Sequence, residues 1–200
     1  MTAGVSAADG GGQPVSLSPC LPVSLSLEAR CRGIELLVLD VDGVLTDGSI
    51  VYADDGVEVK TFHVRDGSGL NLWRRAGKRA AVVSGRTSKA VAVRAAELGI
   101  DPVVQGAADK LPALRQILAA TGMRPEQTAY VGDDVPDLPV LLSCGLAVAV
   151  ADACPEVIAD AHYVTRAAGG RGAVRETIEL ILRCQGQWHK VVERFRGQQL

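Results

Sequence analysis

Two aspartates, Asp40 and Asp42, follow the short apolar run Leu36–Leu39 and are followed in turn by Gly43. In open α/β sheets ligands bind beyond the carboxyl ends of strands, so side chains placed here can take part in chemistry. Carboxylates this close repel each other unless a cation or a proton intervenes, and Mg²⁺ is a hard cation that takes oxygen ligands. Gly43 permits a sharp turn that exposes backbone amides to an anion. The segment indicates either a magnesium and phosphate site or an ordinary polar turn.

Two further segments carry groups that could bind an anion, one after an apolar run and one at the start of a predicted helix. Ser84 and Gly85 follow the run Ala80–Val83. A hydroxyl and glycine before a helix can hold a phosphate, although serine is also a common helix N-cap. Lys110 opens a predicted helix, where the helix dipole favours an acid instead. A lysine in that place indicates either a functional role or a solvated side chain.

A third strand end is acidic. Asp133, Asp134 and Asp137 come directly after the apolar run Ala129–Val131. Carboxylates at the carboxyl edge of a sheet are suitable magnesium ligands. The alternative is a solvated acidic loop.

These segments are separated by strands and helices that alternate along the chain. Apolar runs without polar alternation predict strands that are covered on both faces. The predicted strands are Leu36–Leu39, Ala80–Val83, Val103–Gln105, Ala129–Val131, Ala147–Val150 and Tyr163–Thr165. The predicted helices are Ser68–Arg75, Lys89–Leu98, Leu111–Ala120, Pro136–Leu142 and Ala173–Arg183. This alternation predicts an α/β fold with a Rossmann-like parallel sheet flanked by helices.

One segment interrupts the alternation. Ser49–Tyr52 and Val57–Phe62 are strand-like and flank an Asp-Gly turn signal, which predicts a β-hairpin projecting directly after the first strand. We expect a flexible N-terminal extension over residues 1–32, a folded domain over residues 33–185 and a C-terminal tail over residues 186–200.

Composition limits the classes of function. Of the 200 residues, 48% are hydrophobic and 22% charged, with a net charge of −2, so the basic excess of a nucleic-acid binder is missing. The apolar runs are shorter than the roughly 20 residues that cross a bilayer, and no basic residue precedes Arg30, which argues against a targeting signal. Five cysteines without a CxxC pair argue against structural zinc and suit a reducing compartment. We expect a cytoplasmic protein that binds neither nucleic acid nor membrane.

The chemistry-bearing segments occur together and in one order, as Asp40-Val41-Asp42-Gly43, Ser84, Lys110 and Gly132-Asp133-Asp134. In this the chain resembles the haloacid dehalogenase superfamily of phosphohydrolases over about residues 33–185, which implies a HAD-like phosphatase domain. The resemblance implies that Asp40 is the nucleophile forming an aspartyl-phosphate and that Asp42 is the general acid and base.

The resemblance also implies ligands for a metal and for phosphate. Mg²⁺ would be held by the carboxylate of Asp40, the main-chain carbonyl of Asp42 and Asp133. Asp134 would be a supporting ligand or the partner of Lys110. The phosphoryl oxygens would be held by Gly43, Ser84, Gly85 and Lys110.

The spacing between the motifs limits which members of the superfamily this chain can resemble. Between Asp42 and Ser84 there is room for the hairpin and one helix, and between Ser84 and Lys110 for one helix and one strand, so we expect no cap domain. The segments Asp40–Gly48, Val64–Gly67 and Gly169–Glu176 resemble the 3-deoxy-D-manno-octulosonate 8-phosphate phosphatase family. That family implies a small sugar-acid phosphate as substrate, a role in lipopolysaccharide sugar synthesis, and a homotetramer in which neighbours cover each other's sites.

The substrate would carry a carboxylate beyond its phosphate, and Arg65, Arg86 and Arg171 are the candidates to bind it, since guanidinium groups match carboxylate geometry. Three alternatives remain open. They are a nonulosonate 9-phosphate phosphatase, a broad phosphatase of small phosphomonoesters, and a non-catalytic HAD-like binding module. In the same family the C-terminal tail can reach a neighbouring site, whereas a frayed terminus is the simpler expectation here.

Overall fold

A computed structural model describes Met1 and residues 25–197 of the chain. The strands are β1 Leu36–Leu39, β2 Val51–Tyr52, β3 Glu58–Val59, β4 Arg79–Val83, β5 Val103–Val104, β6 Thr128–Gly132, β7 Leu146–Ala149 and β8 Tyr163–Val164. The α-helices are α1 Leu27–Arg32, α2 Val64–Arg75, α3 Lys89–Leu98, α4 Lys110–Thr121, α5 Leu138–Leu141, α6 Pro155–Asp160, α7 Ala173–Cys184 and α8 Trp188–Arg196. Short 3₁₀ turns span Pro125–Gln127 and Val135–Asp137.

Six of the strands form one parallel sheet in the order β5-β4-β1-β6-β7-β8. Each of the six predicted strands is present, with ends within one residue of the prediction. β1 and β7 are buried along their whole length, as expected for strands covered on both faces. The predicted α/β fold, a Rossmann-like parallel sheet flanked by helices, is confirmed.

The strand order reverses beside the carboxyl end of β1. The chain runs from β1 to β4 and β5 on one side, then crosses back to add β6 on the other side of β1. Ligands in such sheets bind at the point where the strand order reverses. That point lies between the ends of β1 and β6, which carry Asp40 and Asp133.

Helix α4 shows how local sequence sets an element beside this edge. Asp109 caps its first turn by accepting from the Leu111 amide at 3.0 Å, and Gly122 ends it at φ 69°. Leu114 and Ile117, three residues apart on one face of the helix, are buried in the core. The helix therefore holds its first residue, Lys110, at the carboxyl edge of the sheet.

The hairpin after the first core strand is confirmed, although its strands are shorter than predicted. β2 and β3 pair antiparallel, with Val51 opposite Val59, and Gly56 takes φ 78° in the turn between them. Within the described residues this hairpin and α2 are the elements between β1 and β4, so the segment holds no cap domain.

The N-terminal prediction is wrong for residues 27–32. They form α1, in which Cys31 is buried, and the Gln185 side-chain amide donates to the Cys31 and Ile34 carbonyls at 2.8 and 2.9 Å. This helix therefore packs on the domain and is not a flexible extension. Residues 2–24 of the predicted extension lie outside the described residues.

The predicted tail contains a helix. Within residues 186–200 the chain forms α8, whose Trp188 ring lies 5.1 Å from the guanidinium of Arg175 and 5.0 Å from that of Arg183. Residues 198–200 lie outside the described residues. Along the chain that the structure describes, none of the helices has the length and apolar character needed to span a membrane.

Candidate active site

A buried ion pair network lies at the end of β1. Asp40 and Lys110 are 5% and 8% exposed, and the Lys110 ammonium lies 2.8 Å from Asp40 Oδ1. The same ammonium lies 2.6 Å from Asp137 Oδ1. Burial alone would lower the pKa of Lys110, but its two carboxylate partners raise it, so the lysine remains charged. A solvated lysine is thereby excluded at this position.

Asp137 also belongs to this network, although the sequence indicated it only as one of three candidate magnesium ligands after β6. It is 1% exposed, it accepts a hydrogen bond from the Tyr130 hydroxyl, and its Oδ2 accepts from the Asp133 and Asp134 amides at 2.9 and 3.3 Å. It therefore holds both Lys110 and the loop that carries Asp133. The available signal was its place as third acid after β6, three residues after the Asp134 N-cap of a short 3₁₀ turn.

The prediction that Asp134 is the partner of Lys110 is wrong. Among the described residues Lys110 pairs with Asp40 and Asp137, whereas the carboxylate of Asp134 is exposed and accepts from the Val135 amide at 2.8 Å. Asp134 reaches outward because it caps the turn that brings Asp137 inward. Its role as a supporting metal ligand stays a prediction.

Three carboxylates in the network can hold a divalent cation. One oxygen each from Asp40, Asp133 and Asp137 lies within 4.8 Å of the others. Burial, followed by the neighbouring carboxylates, raises the pKa of Asp133 to about 8 and that of Asp40 to about 6. One lysine does not neutralise three such groups, so a hard cation fits the cluster.

The metal would bind to Asp40 and Asp133, since the oxygens of Asp137 are already occupied by Lys110, Tyr130 and backbone amides. Gly43 is required beside it, because a Cβ there would lie 2.1 Å from Asp133 Oδ2. Its φ of 93° also favours glycine. The predicted metal residues Asp40 and Asp133 are thus brought together around the glycine of the first motif.

Asp42 lies in a second charged group, which includes the base of the hairpin. Its carboxylate pairs with Lys60, whose side chain is 2% exposed and also lies 3.3 Å from Glu58 Oε1. Arg86 lies 2.7 Å from the same Glu58 oxygen and 3.9 Å from Asp42 Oδ2. Sequence reasoning missed Lys60 and Glu58, which only the hairpin geometry brings to Asp42. Asp40 and Asp42 therefore have different partners, as two different chemical roles require.

Ser84 and Gly85 lie at the end of β4, on the other side of β1 from Asp133. Ser84 is 2% exposed and its hydroxyl accepts from the Arg86 amide at 3.2 Å. It does not cap the following helix, because α3 begins after Ser88. The hydroxyl therefore orders the turn after β4, and its contact with phosphate stays a prediction.

The three candidate arginines are divided between two places. Arg86 pairs with the hairpin, while Arg65 and Arg171 line a cavity of about 470 Å³ together with Arg166 and Arg175. Arg171 lies 3.1 Å from Asp47 Oδ2 in the loop that follows the first motif. Within one chain the three do not line one common pocket, so their joint role as a carboxylate site stays a prediction.

The chain has clear relatives. Residues 93–177 match the family model for haloacid dehalogenase-like hydrolases. The 3-deoxy-D-manno-octulosonate 8-phosphate phosphatase KdsC of Escherichia coli K12 is 49% identical over 173 residues, which cover 86% of this chain and 92% of that protein. KdsC of Yersinia pestis is 48% identical over 82% of this chain and 88% of that protein.

Solved structures of this group have the same fold. The phosphatase from Moraxella catarrhalis, in complex with a magnesium ion, a phosphate ion and a KDO molecule, has a TM-score of 0.82 and 40% identity, covering 84% of this chain and 97% of that one. The phosphatase from Yersinia pestis has a TM-score of 0.79 and 47% identity, covering 81% and 88%. Identity at this level over most of both chains shows common family as well as common fold.

Proposed function

We propose that this chain removes the phosphate from 3-deoxy-D-manno-octulosonate 8-phosphate, an eight-carbon acid, in lipopolysaccharide sugar synthesis. The reason is that the chain belongs to the 3-deoxy-D-manno-octulosonate 8-phosphate phosphatases, a group of the haloacid dehalogenase-like hydrolases. The observation that carries the proposal is the buried Asp40–Lys110–Asp137 network beside Asp133. It gives a nucleophile, a fixed cation and a place for Mg²⁺ at one point of the sheet.

Asp40 is the nucleophile of the proposed reaction. Its Oδ1 is held by Lys110, so the carboxylate is fixed while its other oxygen attacks phosphorus. The new O–P bond forms as the bond from phosphorus to the sugar oxygen breaks, which leaves an aspartyl-phosphate. Mg²⁺, held by Asp40 and Asp133, would offset the charge between the carboxylate and the phosphate.

Asp42 acts as general acid and then as general base. It first donates its proton to the departing sugar oxygen, and as a carboxylate it then takes a proton from the water that attacks the aspartyl-phosphate. Inorganic phosphate leaves and Asp40 is regenerated. Lys60 and Arg86 contact Asp42 and hold its side chain in place beside the reacting group.

The remaining site residues bind the substrate in this proposal. Phosphoryl oxygens are held by Gly43 and Gly85 amides, by the Ser84 hydroxyl and by Lys110, which compensates their charge. Asp134 supports the metal site from the loop after β6. The candidates to bind the substrate carboxylate are Arg86, beside the hairpin, and Arg65 and Arg171 in the arginine-lined cavity, which do not share one pocket within a single chain.

Phosphate release by the purified protein tests the proposal. We expect turnover with Mg²⁺ of 3-deoxy-D-manno-octulosonate 8-phosphate at least about tenfold faster in kcat/KM than of a nonulosonate 9-phosphate or an aryl phosphate, and no turnover with EDTA, because the carboxylate cluster needs its cation. Preference for the nine-carbon acid would change the assigned substrate and leave the proposed mechanism unchanged. Absence of turnover with all three would contradict the proposal and favour a binding module.

We also propose a homotetramer in which the hairpin contacts neighbouring subunits. Ile50, Val51, Tyr52, Val57 and Val59 are all about half exposed on this one short hairpin. An apolar group of this kind on a projecting element is typical of an interaction surface. The family resemblance supports the tetramer, and the hairpin is the element that also brings Lys60 to Asp42.

A charge on the hairpin is expected to separate the subunits. Val51→Asp should lower the mass in multi-angle light scattering from about four times 20.9 kDa towards the single chain, because a carboxylate is costly to bury in an apolar contact. Val93→Asp, on the exposed face of α3, is the matched control and should leave the mass unchanged. A tetramer that withstands Val51→Asp would show that the hairpin is not the contact.

We propose that the protein works in the cytoplasm. The thiols of Cys31 and Cys144 are buried, and burial raises the pKa of each to about 12, which keeps both as unreactive core groups. Free core thiols suit a reducing compartment.

A further inference from the structure

Asp66, in the first turn of α2, is a buried carboxylate that the mechanism does not use. It is 1% exposed, although it is the third residue of the helix and lies close to its start. Its Oδ1 accepts from the Arg175 amide at 2.8 Å and its Oδ2 from the Gly172 amide at 3.1 Å. A buried charge is costly unless it is paired or hydrogen-bonded, and these two amides, with the His63 ring 3.8 Å from Oδ2, offset that cost.

Those two amides belong to the start of α7. The N-cap of α7 is Gly172, at φ 112°, which has no side chain to cap the free amides of the first turn. Asp66 supplies the missing cap from another helix. Because the carboxylate holds Gly172 itself, it also fixes the exit of the turn formed by residues 168–172.

That turn packs directly on the loop that carries the nucleophile motif. A Cβ on Gly169 would lie 1.6 Å from the Gly43 carbonyl oxygen, and a Cβ on Gly170 would lie 2.4 Å from the Thr46 carbonyl carbon. The Gly170 amide also donates to the Val44 carbonyl at 2.8 Å. Backbone is thus packed against backbone, with no flexible side chain between them to absorb a shift.

Gly43 is also the residue packed against Asp133. A Cβ on Gly43 would lie 2.1 Å from Asp133 Oδ2, and Asp40 lies three residues before it. A displacement of the turn would therefore pass through Gly43 to the two carboxylates that meet the metal and the phosphate. Misplacement of about 1 Å at a reacting group can cost about a hundredfold in rate.

We propose that Asp66 is a positioning residue for the phosphatase reaction: by capping α7 from α2 it holds the 168–172 turn against Gly43 and so sets the placement of the Asp40–Asp42 loop. This rests on the proposed function for its kinetic consequence, but the structural consequence stands independently of the substrate. The competing explanation is that Asp66 only stabilises α7, as any helix cap does.

The test compares Asp66→Asn with Ile178→Val. Asparagine has nearly the same size but can accept at only one of the two amides, so the turn loosens while the core stays filled. Ile178 is fully buried in α7, and its truncation lowers Tm without touching the turn. Both variants and the wild type are measured at a temperature well below the lowest Tm.

The first readout is hydrogen exchange by mass spectrometry over residues 41–48. In the wild type the Val44, Leu45 and Thr46 amides all donate to the Val41 carbonyl. We expect Asp66→Asn to speed exchange of this loop at least about tenfold over both the wild type and Ile178→Val. Loop exchange equal to that of Ile178→Val would overturn the proposal, whether or not the protein hydrolyses any of the substrates tested.

The second readout is turnover. We expect kcat of Asp66→Asn to fall about 10- to 100-fold, with KM changed less than threefold, while Ile178→Val keeps kcat within about twofold of the wild type. Equal kcat for both variants would reduce Asp66 to a stabilising cap. An inactive wild type would contradict the proposed function alone, because loop exchange still decides the structural claim.

A second variant covers the case in which Asp66→Asn does not fold. Gly169→Ala leaves the Asp66 cap intact and places a methyl group against the Gly43 carbonyl. It should speed loop exchange and lower kcat as Asp66→Asn does, with wild-type exchange in α7. Wild-type kcat and loop exchange in folded Gly169→Ala would show that the turn does not control the loop.

Discussion

Asp40→Asn is expected to abolish turnover, lowering kcat at least about 10³-fold, while leaving the fold intact. The amide is a poor nucleophile and cannot form the aspartyl-phosphate. The fold survives because Lys110 keeps its second partner, Asp137, 2.6 Å away, and because one charge leaves a crowded group of carboxylates. The measurement is single-turnover phosphate release beside a circular dichroism melt.

Asp160→Asn is the matched control for this substitution. It makes the same chemical change at an exposed position, the last residue of α6. We expect wild-type turnover from it, since surface substitutions of this kind have small effects. Appreciable turnover in a folded Asp40→Asn protein would remove Asp40 from the role of nucleophile.

The substitution Lys110→Met is expected to lower both turnover and stability. The ammonium compensates Asp40 and Asp137 in a buried place, so its removal leaves two carboxylates unpaired and should cost about 3–5 kcal/mol in the free energy of unfolding. Loss of the charge that faces the phosphoryl group should lower kcat about 10²- to 10³-fold. Urea unfolding and steady-state kinetics measure the two effects.

The two effects of Lys110 can be separated in a double variant. Adding Asp137→Asn to Lys110→Met removes one of the unpaired charges and keeps an acceptor for the Asp133 and Asp134 amides. We expect part of the stability to return without any return of turnover, which a double-mutant cycle detects as coupling. Turnover within about twofold of the wild type in Lys110→Met would limit this lysine to a structural role.

Helix boundaries show where local sequence misleads. The sequence predicts that helix α2 begins at Ser68, because Gly67 and Gly69 lower the helix propensity of the stretch before and around it. In the structure the helix begins four residues earlier, at Val64. The structure explains both glycines by close packing. A Cβ on Gly67 would lie 2.2 Å from Arg94 Nη2, and one on Gly69 would lie 3.0 Å from Arg175 Cδ.

Short helices were the other source of error. α1 and α6, of six residues each, were not predicted, since so few residues barely show a 3.6-residue period. Their burial of Cys31 and Val157 comes from tertiary packing. The predicted helix Pro136–Leu142 is a 3₁₀ turn over Val135–Asp137 followed by α5, and this bend is what directs Asp137 inward.

The sequence by itself determined the parallel sheet and the hairpin, because the apolar period, the turn residues and the alternation of strands and helices are local properties. For the same reason it placed Asp40, Ser84, Lys110 and Asp133 at the ends of strands or helices. Only the tertiary structure decided which charges meet. The pairing of Lys110 with Asp137, of Asp42 with Lys60, and of Asp66 with the start of α7 joins residues 27, 18 and more than 100 positions apart. Such pairs depend on how the elements pack, since a buried charge must find its partner wherever the fold brings one within reach.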